Sequence, residues 1–368
     1  MMQSKQKPAW RFLLLPALVL SGTALAGEEK VLNFFSWPDY IAEDTIANFE
    51  QRTGIRVNHD VYDSNEMLEA RLLAGSSGYD VVVPSASFLE RQIKAGVFQR
   101  VVKDQLSNYG NLDADILSRV AVHDENNEHG VPYMWGTTGI GYNQAKVAEL
   151  LPNAPVDSWD ILFDPEVIAK LSKCGVTFLD APTEVFAIAL AYLGRNPNSE
   201  DPDDLKAAEE MLAKVRPHIR YIHSQQYIND LANGEICVAM SWSGDVFAAG
   251  RRAAEAGNGV NLSYSIPRQG SVVWFDVMAI PASAPHPGNA HLFIDYILEP
   301  VVAAGITDHV RFANSNTASY EFVDESITGN PGIYPPEDVK AKLFPAHAHG
   351  SRFTRTQTRA WTRFKTGR

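Results

Sequence analysis

Cysteine and basic side chains are both scarce in this sequence. Only Cys174 and Cys237 occur in 368 residues. That excludes a disulfide-dense mini-protein, and no histidine stands at ligand spacing from either cysteine, so a cysteine-based zinc module is excluded too. Lys and Arg total 32 against 44 Asp and Glu, a formal charge of −12. An acidic chain lacks the basic surface that phosphate backbones demand, which argues against nucleic acid as the partner. No run beyond residue 30 is long and apolar enough to span a bilayer, so the chain is not expected to be membrane-embedded. Catalytic signatures are missing as well. There is no G-x-S-x-G elbow, no phosphate-binding loop and no H-E-x-x-H, and the single Gly139-Ile140-Gly141 is too little for a dinucleotide site. No enzyme activity, cofactor or metal is expected.

What is present begins with a targeting segment. Lys5, Lys7 and Arg11 precede an apolar stretch, Phe12 to Leu20, and Ala24-Leu25-Ala26 is an A-x-A cleavage site. This pattern reads as a secretory signal peptide over 1–26, too short for an anchor. Loss of its three cations takes the charge from −12 to about −15. No cysteine stands directly after the cleavage site, so no lipid anchor is expected and the product is placed free in the periplasm. In that oxidising compartment the two cysteines read either as one disulfide or as two separate buried thiols.

From Val31 onward strands and helices alternate. Strands are expected at Val31–Trp37, Ile55–Tyr62, Asp80–Pro84, Gly139–Tyr142, Gly175–Leu179, Ile236–Trp242 and Val272–Ile280. Helices are expected near 42–53, 63–75 (opened by an Asp63/Glu66 capping box), 87–95, 183–194, 201–215, 224–233, 288–298 and 300–308. The βαβ rhythm predicts an α/β fold with a mostly parallel sheet, ligand binding falling at the strand C-terminal ends. The acidic group from Glu200 to Asp204 reads as a dipole-stabilised helix start. His123, Asp124, Glu125, Glu128 and His129 read as a polar surface loop, and His347 with His349 as an exposed tail segment, rather than metal sites.

One pairing stands out. Trp37, Asp39 and Tyr40 follow the first strand, and Glu184 opens the helix after Leu179. Trp242 and Asp245 follow Ser241, while Trp274, Phe275 and Asp276 lie in the late strand. Carboxylates accept charge-assisted hydrogen bonds from ammonium groups, and aromatic rings cover methylenes and attract cations. Several acids in one closed cleft call for a ligand with more than one positive charge, because an unmatched buried carboxylate is costly.

These residues sit in a longer series of ordered motifs. They are S-W-P-D-Y at 36–40, D-V-V-V-P-S at 80–85, E-V-F at 184–186, S-W-S-G-D-V at 241–246, W-F-D-V-M-A-I-P at 274–281, D-H-V-R-F-A-N at 308–314 and N-P-G-I-Y-P-P at 330–336. In them the chain resembles the periplasmic polyamine-binding proteins of ABC importers, the putrescine and spermidine type. The resemblance implies a two-lobed periplasmic binding protein fold (type II), each lobe a mixed, mostly parallel sheet flanked by helices. The lobes are expected at 27–134 plus about 258–320, and at 135–257 plus about 321–368. It implies a Cys174–Cys237 disulfide and a binding site of Trp37, Asp39, Tyr40, Ser85, Glu184, Trp242, Asp245, Trp274, Asp276 and Phe312. Trp37 and Trp242 would sandwich the alkyl chain, and Glu184, Asp245 and Asp276 would hold the amines. Two positions depart from the family pattern: Pro38 replaces a small hydroxyl residue, and Phe312 stands where a tyrosine is common. The implied partners are a small cationic amine and an inner-membrane ABC permease, or a membrane sensor receptor if the same fold serves sensing. A neutral-sugar binder is the alternative ligand class. Anion receptors are excluded by the acids, and iron carriers by the missing Tyr-Tyr pair.

Overall fold

A computed structural model of the chain describes residues 28–347 and 349–367. The stretch 1–26, expected from sequence to be a signal peptide, lies outside them. Eleven strands form one continuous mixed sheet. They are β1 Val31–Ser36, β2 Arg56–Val61, β3 Val81–Val82, β4 Gly130–Asn143, β5 Val176–Phe178, β6 Tyr221–Ile222, β7 Val238–Trp242, β8 Leu262–Ser265, β9 Ser271–Ala279, β10 Ala313–Asn314 and β11 Leu343–Pro345. The order is β2-β1-β3-β9-β4-β7-β5-β6, with β8 and β10 on β4 and β11 on β9. The β2-β1-β3 and β6-β5-β7 runs are parallel, as the βαβ rhythm requires. Between them β4 and β9 pair antiparallel.

β4 organises the molecule. Its Gly130–Thr137 half pairs with β9, and its Thr138–Asn143 half pairs with β7 and β8. The sequence reading places a strand only at Gly139–Tyr142, because Pro132 and the glycines interrupt any strand pattern. Pro132 sits at the register shift between Pro132 and Met134, where an irregular ladder tolerates a residue with no N–H.

Three apolar clusters follow the two halves of the sheet. One contains Ile140, Trp159, Phe178, Tyr227, Met240 and Val272, and includes Phe353 and Trp361 from the chain end. A second contains Leu32, Phe49, Val81, Met134, Phe293 and Phe312. The third contains Phe35, Tyr62, Val82 and Phe275, with Val323, Ile327 and Ile333. Trp242 and Trp274 pack at the edge of both the first and the second cluster.

Local signals explain most helix boundaries. Gly54 (φ 69°) closes Thr45–Thr53 in the left-handed conformation that glycine adopts without strain. Ser64, rather than the expected Asp63, caps Asn65–Leu73 by accepting from the Met67 amide at 3.2 Å. Asp201 caps Pro202–Val215, and Asp203 and Asp204 occupy its first turn, consistent with the dipole reading of this acidic group.

Of the described helices that the sequence reading does not place, Ser243–Ala256 and Ser351–Thr366 are the two longest. Ser243–Ala256 begins directly after β7. Ser351–Thr366 buries Phe353, Gln357, Ala360, Trp361 and Phe364 on one face. Its Trp361 donates to Asp180 at 2.7 Å, and Arg363 pairs with Glu209.

Two polar groups differ from expectation. His123 and Asp124 are buried, not on a solvated loop. Asp124 accepts from the backbone amides of His129 and Gly130, each at 2.8 Å, which ties the turn to the start of β4. The His349 side chain is also nearly buried (6% exposed) against Glu200, so this is not an exposed tail. Cys174 and Cys237 form a disulfide that joins the chain just before β5 to the chain just before its parallel neighbour β7. No single described helix is long and apolar enough to cross a membrane. Pro287–Ile297 and Pro300–Val310 reach that hydropathy only as a pair bent by 75°.

Candidate functional site

The strand ends converge on one cavity of about 430 Å³, and all ten residues proposed from sequence line it. Trp37, Asp39 and Tyr40 arrive from the end of β1. Ser85 comes from the turn after β3, and Glu184 from the first turn of Pro182–Tyr192. Trp242 ends β7, and Asp245 lies in the first turn of Ser243–Ala256. Trp274 and Asp276 are two apart on β9 and share a face. Phe312 follows Arg311, which leaves Pro300–Val310 in a left-handed conformation (φ 63°).

Each buried acid is held by donors from elsewhere in the chain. Asp276 accepts from the Tyr40 hydroxyl at 2.9 Å and the Ser85 hydroxyl at 2.7 Å. Ser85 is held in turn by Asn65, whose amide nitrogen donates to its Oγ and whose carbonyl accepts from its backbone N–H, each at 3.0 Å. Glu184 accepts from the Trp242 indole at 3.0 Å and from Thr138 Oγ1. Asp245 accepts from the Tyr227 hydroxyl. Asn65, Thr138 and Tyr227 escaped the sequence reading. Nothing local marks them, because each lies 18 to 46 residues from the group it holds.

Burial dominates the electrostatics. It pushes the Asp276 carboxyl up to about 7; Glu184's charge adds to this, and the Ser85 and Tyr40 hydrogen bonds act against it. Asp245 is likewise pushed up to about 7 by burial, with Asp39 adding and Tyr227 and Arg252 opposing. Glu184 is raised by burial and by Glu66, against its bonds from Thr138 and Trp242. Three desolvated carboxyl groups in one cavity are therefore each short of positive charge. Tyr40 and Tyr227 are held well above the ordinary phenol range by burial and the adjacent acids, so both remain donors.

Asp39 has a different environment. It adopts φ 52°, and its largely exposed carboxylate pairs with Arg252 at 2.9 Å. Arg252 also donates to Asn229 at 2.8 Å. This contact joins the end of β1 to Ser243–Ala256, two elements whose buried residues belong to different cores.

The aromatic walls are packed against each other. Trp37 and Trp242 meet edge to face at 6.4 Å and 65°. They are not the parallel slot that a sandwiching role implies. T-shaped contact satisfies the ring quadrupoles. Phe312 contacts Tyr40 at 5.5 Å and Trp274 at 5.2 Å. Two glycines make this possible. A Cβ at Gly136 would lie 2.6 Å from the Trp274 ring, and one at Gly244 would lie 2.6 Å from the Phe312 ring. Among the described residues the Trp274 indole N–H has no partner. Behind the tryptophans an adjoining chamber shares Trp37, Ser85, Glu184, Trp242 and Trp274, and adds Glu66, His123 and Asp180.

A family described as bacterial extracellular solute-binding protein matches residues 44–335. The putrescine-binding periplasmic protein PotF of Escherichia coli (strain K12) is 55% identical over 353 residues, covering 95% of each chain. The putrescine-binding periplasmic protein SpuD of Pseudomonas aeruginosa (strain UCBPP-PA14) is 51% identical over 350 residues, again covering 95% of each. Among solved structures, a putative spermidine/putrescine ABC transporter protein from Listeria monocytogenes superposes with a TM-score of 0.82 at 29% identity. That match covers 92% of this chain and 100% of the other.

Proposed function

The chain belongs to the bacterial extracellular solute-binding protein family, and from that premise we propose that it captures a polyamine or related di- or polycationic amine in the periplasm and delivers it to an ABC permease. Putrescine and spermidine are the first ligands to test. One observation carries the proposal: Glu184, Asp245 and Asp276 are buried in one aromatic-walled cavity, each with its carboxyl shifted up by desolvation. A ligand with two or more ammonium groups returns these acids to the charged form and gains charge-assisted bonds. A neutral sugar would leave them unmatched.

In this reading the ten lining residues are the binding residues. Asp276 with Tyr40 and Ser85 takes one amine, and Glu184 and Asp245 take the other end. Trp37, Trp242, Trp274 and Phe312 cover the methylenes once the Trp37–Trp242 contact opens. Asp39 acts at the mouth through Arg252. The protein binds and releases without catalysis.

The two lobes hinge about the cleft, and ligand favours the closed form through contacts to both. We propose the lobes as 27–134 plus about 258–320 and 135–257 plus about 321–368, with two adjustments that strand pairing and packing favour. β8 at 262–265 goes with the second lobe, since it pairs with the Ile140–Asn143 end of β4. The segment around 323–333 goes with the first lobe, since Val323, Ile327 and Ile333 share a core with Phe35. The leader at 1–26 is removed on export. Calorimetric titration of ligand-free protein with putrescine and spermidine tests the proposal. Saturable heat is expected, and silence with every polyamine at high micromolar concentration would overturn it.

A further inference from the structure

Outside the cleft, three metal-ligating side chains distant in sequence are brought together. Glu90 lies on Ala86–Lys94, His123 follows Ala114–Val120, and His347 follows β11. One ligand atom from each can be chosen so that all lie within 4.8 Å of one another. His123 Nδ1 is 3.1 Å from Glu90 Oε2, and the His123 and His347 rings are 5.2 Å apart. The His123 side chain is almost fully buried. Lys94 holds the other oxygen of Glu90 at 2.8 Å from an exposed position.

We propose that Glu90, His123 and His347 form a binding site for a divalent transition-metal ion of the zinc class. Two imidazoles and a carboxylate suit this ion, with a fourth position left for water. Tetrahedral coordination at roughly 2.0–2.2 Å needs ligand atoms about 3.3–3.6 Å apart. The His123–Glu90 pair, at 3.1 Å, has to open by only about a few tenths of an ångström, and half-buried His347 supplies the remaining movement. His347 is well placed to do so. Its backbone N–H is held by Asn198 Oδ1 at 2.8 Å, while no hydrogen bond constrains its ring among the described residues. Entry is through the chamber behind the tryptophans, whose wall includes His123.

The site bridges two parts of the fold. Ala86 and Leu89 of the Glu90 helix pack in the core with Phe35, whereas Phe353, just beyond His347, packs in the core with Trp361. A bound ion therefore ties the crossing that leads into Ser351–Thr366 to the first half of the molecule.

The test uses the full chain after chelator treatment, titrated with Zn²⁺ by calorimetry and with Co²⁺ by visible absorption. One equivalent is expected to bind in the micromolar range, with the absorption of four-coordinate cobalt and a rise in Tm. His347→Ala should weaken binding by at least the roughly 10–100-fold that loss of an outer-shell partner costs and abolish the Tm rise, while His218→Ala should leave both unchanged. His347 is the variant of choice because it is less buried than His123. Putrescine titration of the same variant shows whether it is folded and its cleft intact. Absence of saturable Zn²⁺ binding at one equivalent, or wild-type affinity in His347→Ala, would overturn the assignment.

Discussion

Ligand affinity should fall steeply with acid, and the size of the fall follows from the cavity. Asp245 and Asp276 are each pushed up to about 7 in the ligand-free protein. An ammonium group beside each stabilises the charged form and lowers its pKa, so binding releases protons wherever the free protein holds them. The amines themselves, with pKa values near that of lysine, stay charged throughout this range. Two independent groups at about 7 cost a factor of about 120 at pH 6 and about 1.2 at pH 8, so affinity drops about 100-fold between the two. That is about 2.7 kcal/mol.

The same protons act on stability with the opposite sign. A carboxyl whose folded pKa lies above its unfolded value of about 3.9 binds more protons when folded, so stability falls as pH rises through that window and levels off above about 7. Ligand-free protein should therefore gain stability on going from pH 8 to pH 6, and the rise in Tm on adding ligand should be larger at pH 8. The assay is calorimetric titration at both pH values in two buffers of different ionisation enthalpy, which counts protons released. Asp245→Asn should reduce the pH effect to about 10-fold. Affinity unchanged between pH 6 and pH 8, with no protons released, would refute the claim that buried neutral acids await a cationic ligand.

Removing Asp276 as alanine should cost roughly 2–5 kcal/mol of ligand affinity, since a desolvated amine loses its counter-charge; unchanged affinity by calorimetry would remove Asp276 from the site. Gly244→Ala should destabilise the fold by about 1–3 kcal/mol in denaturant titration and weaken binding, because its Cβ would meet the Phe312 ring. Replacing Cys174 and Cys237 by serine opens a crosslink spanning 63 residues of sequence and should cost up to about 4 kcal/mol in the same assay. Trp361→Ala should cost about 3–5 kcal/mol if Ser351–Thr366 is part of the second core, as its burial requires; a loss below about 1 kcal/mol would mark the helix as peripheral.

Much of this protein is written in short-range pattern. Alternation, valine-rich runs and glycine stops locate most of the described strands and half of the described helices, because side-chain periodicity and backbone φ are local properties. Eight of the ten cleft residues were legible because acids and aromatics stand together at strand ends, where an α/β sheet opens toward its ligand; Ser85 and Phe312 came only from the family resemblance. β4 was only partly legible: Pro132 is acceptable there solely because the facing β9 ladder shifts register. The C-terminal helix escaped because its apolar stripe is sparse and gains its value by meeting the second core.

Composition and the ordered motifs were thus enough to point to an α/β binding protein with an acid-rich, aromatic cleft. Topology supplied the rest. It set Tyr227 against Asp245, Thr138 against Glu184 and Tyr40 against Asp276, and it gathered Glu90, His123 and His347. It also raised the carboxyl groups, because desolvation sums over every atom that excludes water from a site, and those atoms come from segments that meet only when the chain is folded.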